Sequence, residues 1–93
     1  MVQAAENRAE LWGVVRRVER TGEAVSIALD VERADAVPGM ANLLAGTIGK
    51  TITVTLPGRR GDAAPQPGDR IRCQARLVGP GRYIAVPGTL APG

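Results

Sequence analysis

Pro67-Gly68-Asp69-Arg70-Ile71-Arg72-Cys73-Gln74-Ala75-Arg76-Leu77-Val78 is the stretch on which the reading of this chain turns. Ile71, Cys73, Ala75 and Leu77 alternate with Arg70, Arg72, Gln74 and Arg76. A period of two puts the apolar row on one face of a strand and the basic row on the other. Gly79-Pro80-Gly81-Arg82 then reverses the chain into Tyr83-Ile84-Ala85-Val86, so the segment predicts a β-hairpin whose first strand carries three outward arginines.

Upstream, the sequence supplies the rest of a small barrel. Leu11-Trp12-Gly13-Val14-Val15-Arg16-Arg17-Val18 is rich in β-formers but broken in phase, since Val14 and Val18 share one face while Leu11 and Val15 share the other. A bulge near Gly13 would reconcile them and bend the strand. After a turn at Thr21-Gly22-Glu23, Val25, Ile27, Leu29 and Val31 point inward and Ser26, Ala28, Asp30 and Glu32 outward. Residues 33–39 are expected to leave the sheet. Residues 40–45 are expected to form at most one short helix ending at Gly46, with Met40, Leu43 and Leu44 plugging one barrel end. Thr51-Ile52-Thr53-Val54-Thr55-Leu56 is the next strand, and the Gly- and Pro-rich run 57–69 reads as a loop. The expected organisation is a flexible lead-in at 1–9, a barrel over 10–87 and a tail at 88–93.

Five short strands, a Gly-interrupted first strand, a capping segment and a final hairpin resemble the OB-fold, a five-stranded Greek-key barrel. The pattern Pro67-Gly68-Asp69-Arg70-Ile71-Arg72, followed by Gly81-Arg82-Tyr83-Ile84, is similar to the last two strands of bacterial translation initiation factor one and its barrel relatives. The resemblance implies an all-β barrel whose fourth strand pairs with the first. It also implies nucleic-acid binding across strands two and three, where aromatics stack on bases. This chain departs from the pattern twice. The helix expected between strands three and four is replaced by the 57–69 loop, and the outward residues Ser26, Ala28, Asp30, Glu32, Thr51, Thr53 and Thr55 are neutral to acidic with no aromatic among them. That face is expected to be a poor binder. Five strands do not fix their own order, so an SH3-like barrel is the alternative fold.

Ninety-three residues supply one modest core and one domain. The 12 Gly and 7 Pro suit many turns, while Trp12 and Tyr83 are the only aromatics. Charge is unevenly spread: residues 1–40 hold five basic and seven acidic side chains, residues 41–93 seven basic and two acidic. The positive field of the second half favours phosphate or acidic partners. With no His and one Cys, the common nucleophilic triads and dyads cannot be assembled, so a non-catalytic protein is expected. Cys73 sits on the inward row and is expected to be a small buried thiol. No spacing suits a metal, Gly49-Lys50-Thr51 lacks the earlier glycine of a phosphate loop, and no cofactor is expected. The apolar run 36–48 is too short and interrupted to span a bilayer, and no secretory leader is evident, so a cytoplasmic protein without a membrane partner is expected.

The expected function is binding of single-stranded DNA or RNA with little sequence preference. The residues expected to carry it are Arg70, Arg72 and Arg76 on the strand, Arg59, Arg60 and Arg82 in the flanking loops, and whichever of Arg16 and Arg17 points outward. Trp12 and Tyr83 are the only groups available for stacking. The alternative is a protein-interaction or assembly module, an accessory subunit or homo-oligomer, docking through the apolar 37–48 segment. An open Arg patch would favour the first; exposed Met40, Leu43 and Leu44 would favour the second.

Overall fold

The structure is a computed structural model that describes residues 7–22, 24–56 and 65–93. It is all-β, with strands β1 (Ala9–Thr21), β2 (Ala24–Ala36), β3 (Thr51–Leu56), β4 (Arg70–Gly79), β5 (Arg82–Ala85) and a two-residue β6 (Ala91–Pro92). The order β1-β2-β3-β5-β4 closes through β4 onto β1, so five strands form a barrel of OB-like order. All pairs are antiparallel except β3–β5, where Val54 and Thr55 lie beside Tyr83 and Ile84 in parallel. Closure removes most of the edge that a curled five-stranded sheet would otherwise expose.

Two register shifts resolve the broken phase of the first strand. Between Val15 and Arg17 the pairing with β2 skips Arg16, and between Trp12 and Gly13 it skips Glu32 of β2. The phase change therefore falls at Arg16 on β1, a few residues beyond Gly13, and the irregularity at Gly13 belongs to the opposite strand. Leu11, Gly13 and Val15 are buried, Arg16 and Arg17 are both exposed, and Val18 returns to the core side. The extra residue at Glu32 likewise moves Ala34 inward, so β2 runs on to Ala36. Residues 33–36 thus stay in the sheet, and Arg33 marks a phase change where the sequence suggested a strand end.

The core is built from Leu11, Val15, Ile27, Leu29, Leu44, Val54 and Cys73, all fully buried. Leu44 closes one end. The expected helix over 40–45 does not form; one 3-10 turn follows at Ala45–Thr47. Six residues are too few to offset helix nucleation, and Asn42 competes by accepting the Leu44 N–H at 3.0 Å. Of the three expected plug residues only Leu44 is buried, while Met40 is partly exposed and Leu43 is 47% exposed.

Asn7 and the residues after β5 are tied to β4 by hydrogen bonds. Asn7 is buried, and its amide donates to the Leu77 carbonyl at 2.9 Å and accepts the Leu77 N–H at 2.7 Å, continuing the β1–β4 ladder by one side chain. At the other end the Val86 N–H donates to Gln74 O at 2.8 Å, and the Thr89 hydroxyl accepts the Gln74 N–H at 3.0 Å. These bonds fold the tail along β4, where Ala91 and Pro92 pair with Arg72 and Ile71. The edge of β4 beyond β5 has backbone groups to satisfy, and the tail satisfies them.

Candidate nucleic-acid interface

Alternation along β4 sends Arg70, Arg72, Gln74 and Arg76 outward, as the sequence requires, but the four residues enter two different surroundings. The first half of β4 pairs with β1, and β1 with β2, so Arg70 and Arg72 face strands rich in carboxylates. Arg70 Nη1 lies 2.9 Å from Glu32 Oε1, and Arg72 Nη1 lies 3.9 Å from Glu10 Oε1. Arg16 meets Asp30 at 3.5 Å, and Arg33 forks onto Asp35 at 2.6 and 2.9 Å. Four arginines and four carboxylates thus share one band of surface, with no net charge. The arginines of all four pairs are largely open to solvent, so each pair contributes little to stability. Their joint effect on the field is large, because the positive potential expected around Arg70 and Arg72 is cancelled locally.

Trp12 lies in this band, paired across the strands with Arg33 and Arg72. The Arg33 guanidinium sits over its ring, 4.6 Å from the centroid, and the hydrogen bond and charge of Asp35 raise the Arg33 pKa above its ordinary value. The stacking face of Trp12 on that side is already taken by a cation. Arg33 escaped the sequence reading because that reading took it out of the sheet.

The second half of β4 turns away from the acids toward β5. Arg76 pairs with Ile84, Ile84 with Thr55, Thr55 with Ser26, and Ser26 with Glu19, one outward row running from β4 to β1. A second row begins at Arg82, which precedes Tyr83 and falls level with Thr53 when the parallel register is continued by one residue, and runs on through Ala28 to Arg17. Among the described residues neither Arg76 nor Arg82 has a carboxylate within ion-pair distance, and Arg17 is 3.1 Å from Glu19. Asp30 and Glu32, the acidic outward residues of β2, belong to the charge-paired band; beyond them the outer face of β2 and β3 is a floor of small uncharged side chains, Ser26, Ala28, Thr53 and Thr55, flanked by Arg76 and Arg82 on one side and by Arg17 with Glu19 on the other. Reading those two strands separately hides the flanks, since only the β3–β5 and β1–β2 pairings bring them in. Three strand spacings put Arg17 and Arg82 about 14 Å apart.

The remaining expected residues separate cleanly. Tyr83 pairs with Val54 and Leu77 on the inner side and packs partly buried against the core, so its ring does not face the floor. Arg59 and Arg60 lie outside the described residues. Leu43 and Ile48, at 47% and 50% exposure, are the most open large apolar groups among the described residues, so the 37–48 segment is in part surface. Among the described residues no group of His, Cys, Asp and Glu could hold a metal ion, and no helix is long and apolar enough to cross a membrane.

Cys73 is buried, and burial pushes its thiol pKa up to about 11, with a smaller contribution from the charge of Glu10. At neutral pH it is a protonated, inaccessible thiol. The folded protein is expected not to react with a thiol-directed chromogenic reagent at pH 8, whereas denatured protein reacts with one equivalent per chain. Rapid reaction in the folded state would show that this part of the core opens readily.

Comparison of the chain with protein-family models, with curated proteins and with solved structures gives no match.

Proposed function

We propose that this chain is an OB-fold module that binds single-stranded nucleic acid, with little sequence preference, through the outer face of β2 and β3. The observation that carries the reading is the division of the arginines. Arg70 and Arg72 sit among carboxylates, whereas Arg76 and Arg82 border an uncharged floor with no acid partner among the described residues. Arg17 closes the other flank, and its exposed pair with Glu19 is weak enough for a phosphate to replace. The floor and the β4–β5 turn correspond to the surface and loop with which five-stranded barrels of this kind hold oligonucleotides. The protein acts without catalysis, and the cytoplasm is the compartment in which a single-stranded partner and a lone reduced thiol are both at home.

The test is fluorescence anisotropy of a labelled single strand across a salt series, with two double variants. Arg76→Ala/Arg82→Ala and Arg70→Ala/Arg72→Ala each lower the formal net charge of +3 by the same two units, so a difference between them reports position. Wild-type affinity is expected at about 10⁻⁴ to 10⁻⁶ M. Loss of Arg76 and Arg82 is expected to weaken binding on every sequence and to make the salt slope shallower by about 1.4, or about 0.7 per phosphate contact. Loss of Arg70 and Arg72 is expected to leave the slope unchanged. Equal losses in the two variants would refute this location, and no binding at low salt would refute the reading.

A second reading rests on Leu43 and Ile48: both are exposed and both lie in the β2–β3 connection, where they suit an apolar contact with a protein partner.

A further inference from the structure

Trp12 and Tyr83 are the only aromatic residues in the whole sequence, so their placement settles where any base could stack on an aromatic ring. Neither ring serves the floor of β2 and β3. The Tyr83 side chain lies on the inner side with Val54 and Leu77, against the core. Trp12 is five residues from Arg17 along β1, about 16 Å in an extended strand. Its cross-strand neighbours are Arg33 and Arg72 of the charge-paired band, and Arg33 lies over one face of its ring.

What the floor offers a strand of nucleic acid is of another kind. Arg17, Arg76 and Arg82 suit phosphate oxygens, and the hydroxyls of Ser26, Thr53 and Thr55 suit phosphate or sugar oxygens. Ile84, 37% exposed beside Arg76 and Thr55, is the single large apolar side chain in the two rows. It presents a narrow branched surface with no π-face. Base edges require donors and acceptors held in fixed geometry, and the hydroxyls of a flat strand face rotate freely.

Resting on the nucleic-acid reading above, we infer that the ligand is recognised through its sugar–phosphate backbone alone, the bases pointing away from the protein. The barrel then holds a strand that stays free to pair or to be read by something else. Three arginines on phosphates give a salt slope of about −2 for a single strand. Base identity, and even the presence of bases, leaves the affinity unchanged.

The experiment compares three labelled strands of equal length, an oligothymidylate, a mixed sequence and a fully abasic strand, against the full chain across a salt series. Arg76→Ala/Arg82→Ala serves as the control. Both replaced side chains are exposed, so the barrel is retained. The expected result is dissociation constants within about twofold of one another for all three strands, a common slope near −2, and a shallower slope for the variant on each strand. One stacked base would make the abasic strand about 5- to 150-fold weaker. A loss of that size, with the base-bearing strands still bound and still sensitive to the variant, overturns the inference and leaves the nucleic-acid reading standing. Absence of binding to every strand at low salt overturns that reading, and the inference falls with it.

Discussion

Replacing Gly13 with alanine is expected to destabilise the barrel by about 3 kcal/mol, the upper end of what forced overpacking of a core usually costs. Gly13 is buried on the inner side of β1, paired with Val31 of β2 and Ile71 of β4 at once. A β-carbon there would collide with the Asp30 carbonyl oxygen and stand 3.0 Å from both the Asp30 carbonyl carbon and Leu29 Cδ1. The first two contacts are backbone, which cannot rotate aside as a side-chain tip can. The backbone conformation at Gly13 is not of the kind reserved for glycine, so the cost is a collision and not a dihedral strain. Relief requires β1 and β2 to separate beside the register shift at Trp12, where the strands are already irregular. For a domain of this size the loss corresponds to a fall in Tm of roughly 12 to 24 °C. Gly46→Ala is the matched control, since a β-carbon there meets nothing within 4 Å and the residue has no positive φ. Thermal unfolding followed by circular dichroism measures both. A Gly13→Ala protein within about 0.5 kcal/mol of wild type would show that the strands do not approach as closely as described.

Gly13 also marks how far the sequence could be read. Clean alternation made the strands at 51–56 and 70–78 legible: of the expected inner rows, Ile52, Val54, Leu56, Ile71, Cys73 and Ala75 are buried and Leu77 is partly buried against the core. The need for a bulge was legible from the clash of phase between Val15 and Val18. Its position was not, because an inserted residue shifts the pattern without naming itself, and Arg16, Arg17 and Gly13 are all acceptable in a strand. The extension of β2 past Glu32 was hidden by the same device. For the candidate interface, which side chains face outward was largely legible, since it follows from alternation within one strand. Which outward side chains share a face was not, since it depends on strand order and register. The carboxylates opposite Arg70 and Arg72 are 38 and 62 residues away in sequence, and β5 with Arg82 at its start comes beside β3 only through a parallel pairing that no local pattern announces. Net charge by sequence half therefore pointed to an open row of arginines on β4, where the folded chain has a neutral band and a smaller basic border.

Leu43 and Leu44 bring the same limit down to two neighbouring residues, and substitution separates them. Both stand in the connection between β2 and β3, and no periodicity in residues 40–45 says which of them enters the barrel. The fold decides it: Leu44 is fully buried in the common core, whereas Leu43 is about half exposed. Three bonds fix the choice. Asn42 accepts the Leu44 N–H, and the Leu44 carbonyl accepts the buried Thr47 hydroxyl at 2.7 Å, with the Thr47 N–H on the same oxygen at 3.0 Å. The backbone on either side of Leu44 is thereby held while its side chain fills the barrel end. Leu44→Ala is expected to cost about 2 to 5 kcal/mol, the transfer of the lost methyl groups plus the cavity they leave at a place where a closed barrel cannot collapse. Leu43→Ala is expected to stay within about 0.5 kcal/mol of wild type. Chemical denaturation of the two variants gives the comparison directly, provided the m-value is unchanged. If the two substitutions cost the same, Leu44 is not the plug and the barrel end is closed in some other way. The expected asymmetry would also leave Leu43 available at the surface in the same connection as Ile48, so that Leu43→Ala could probe a protein contact there without disturbing the barrel it stands on.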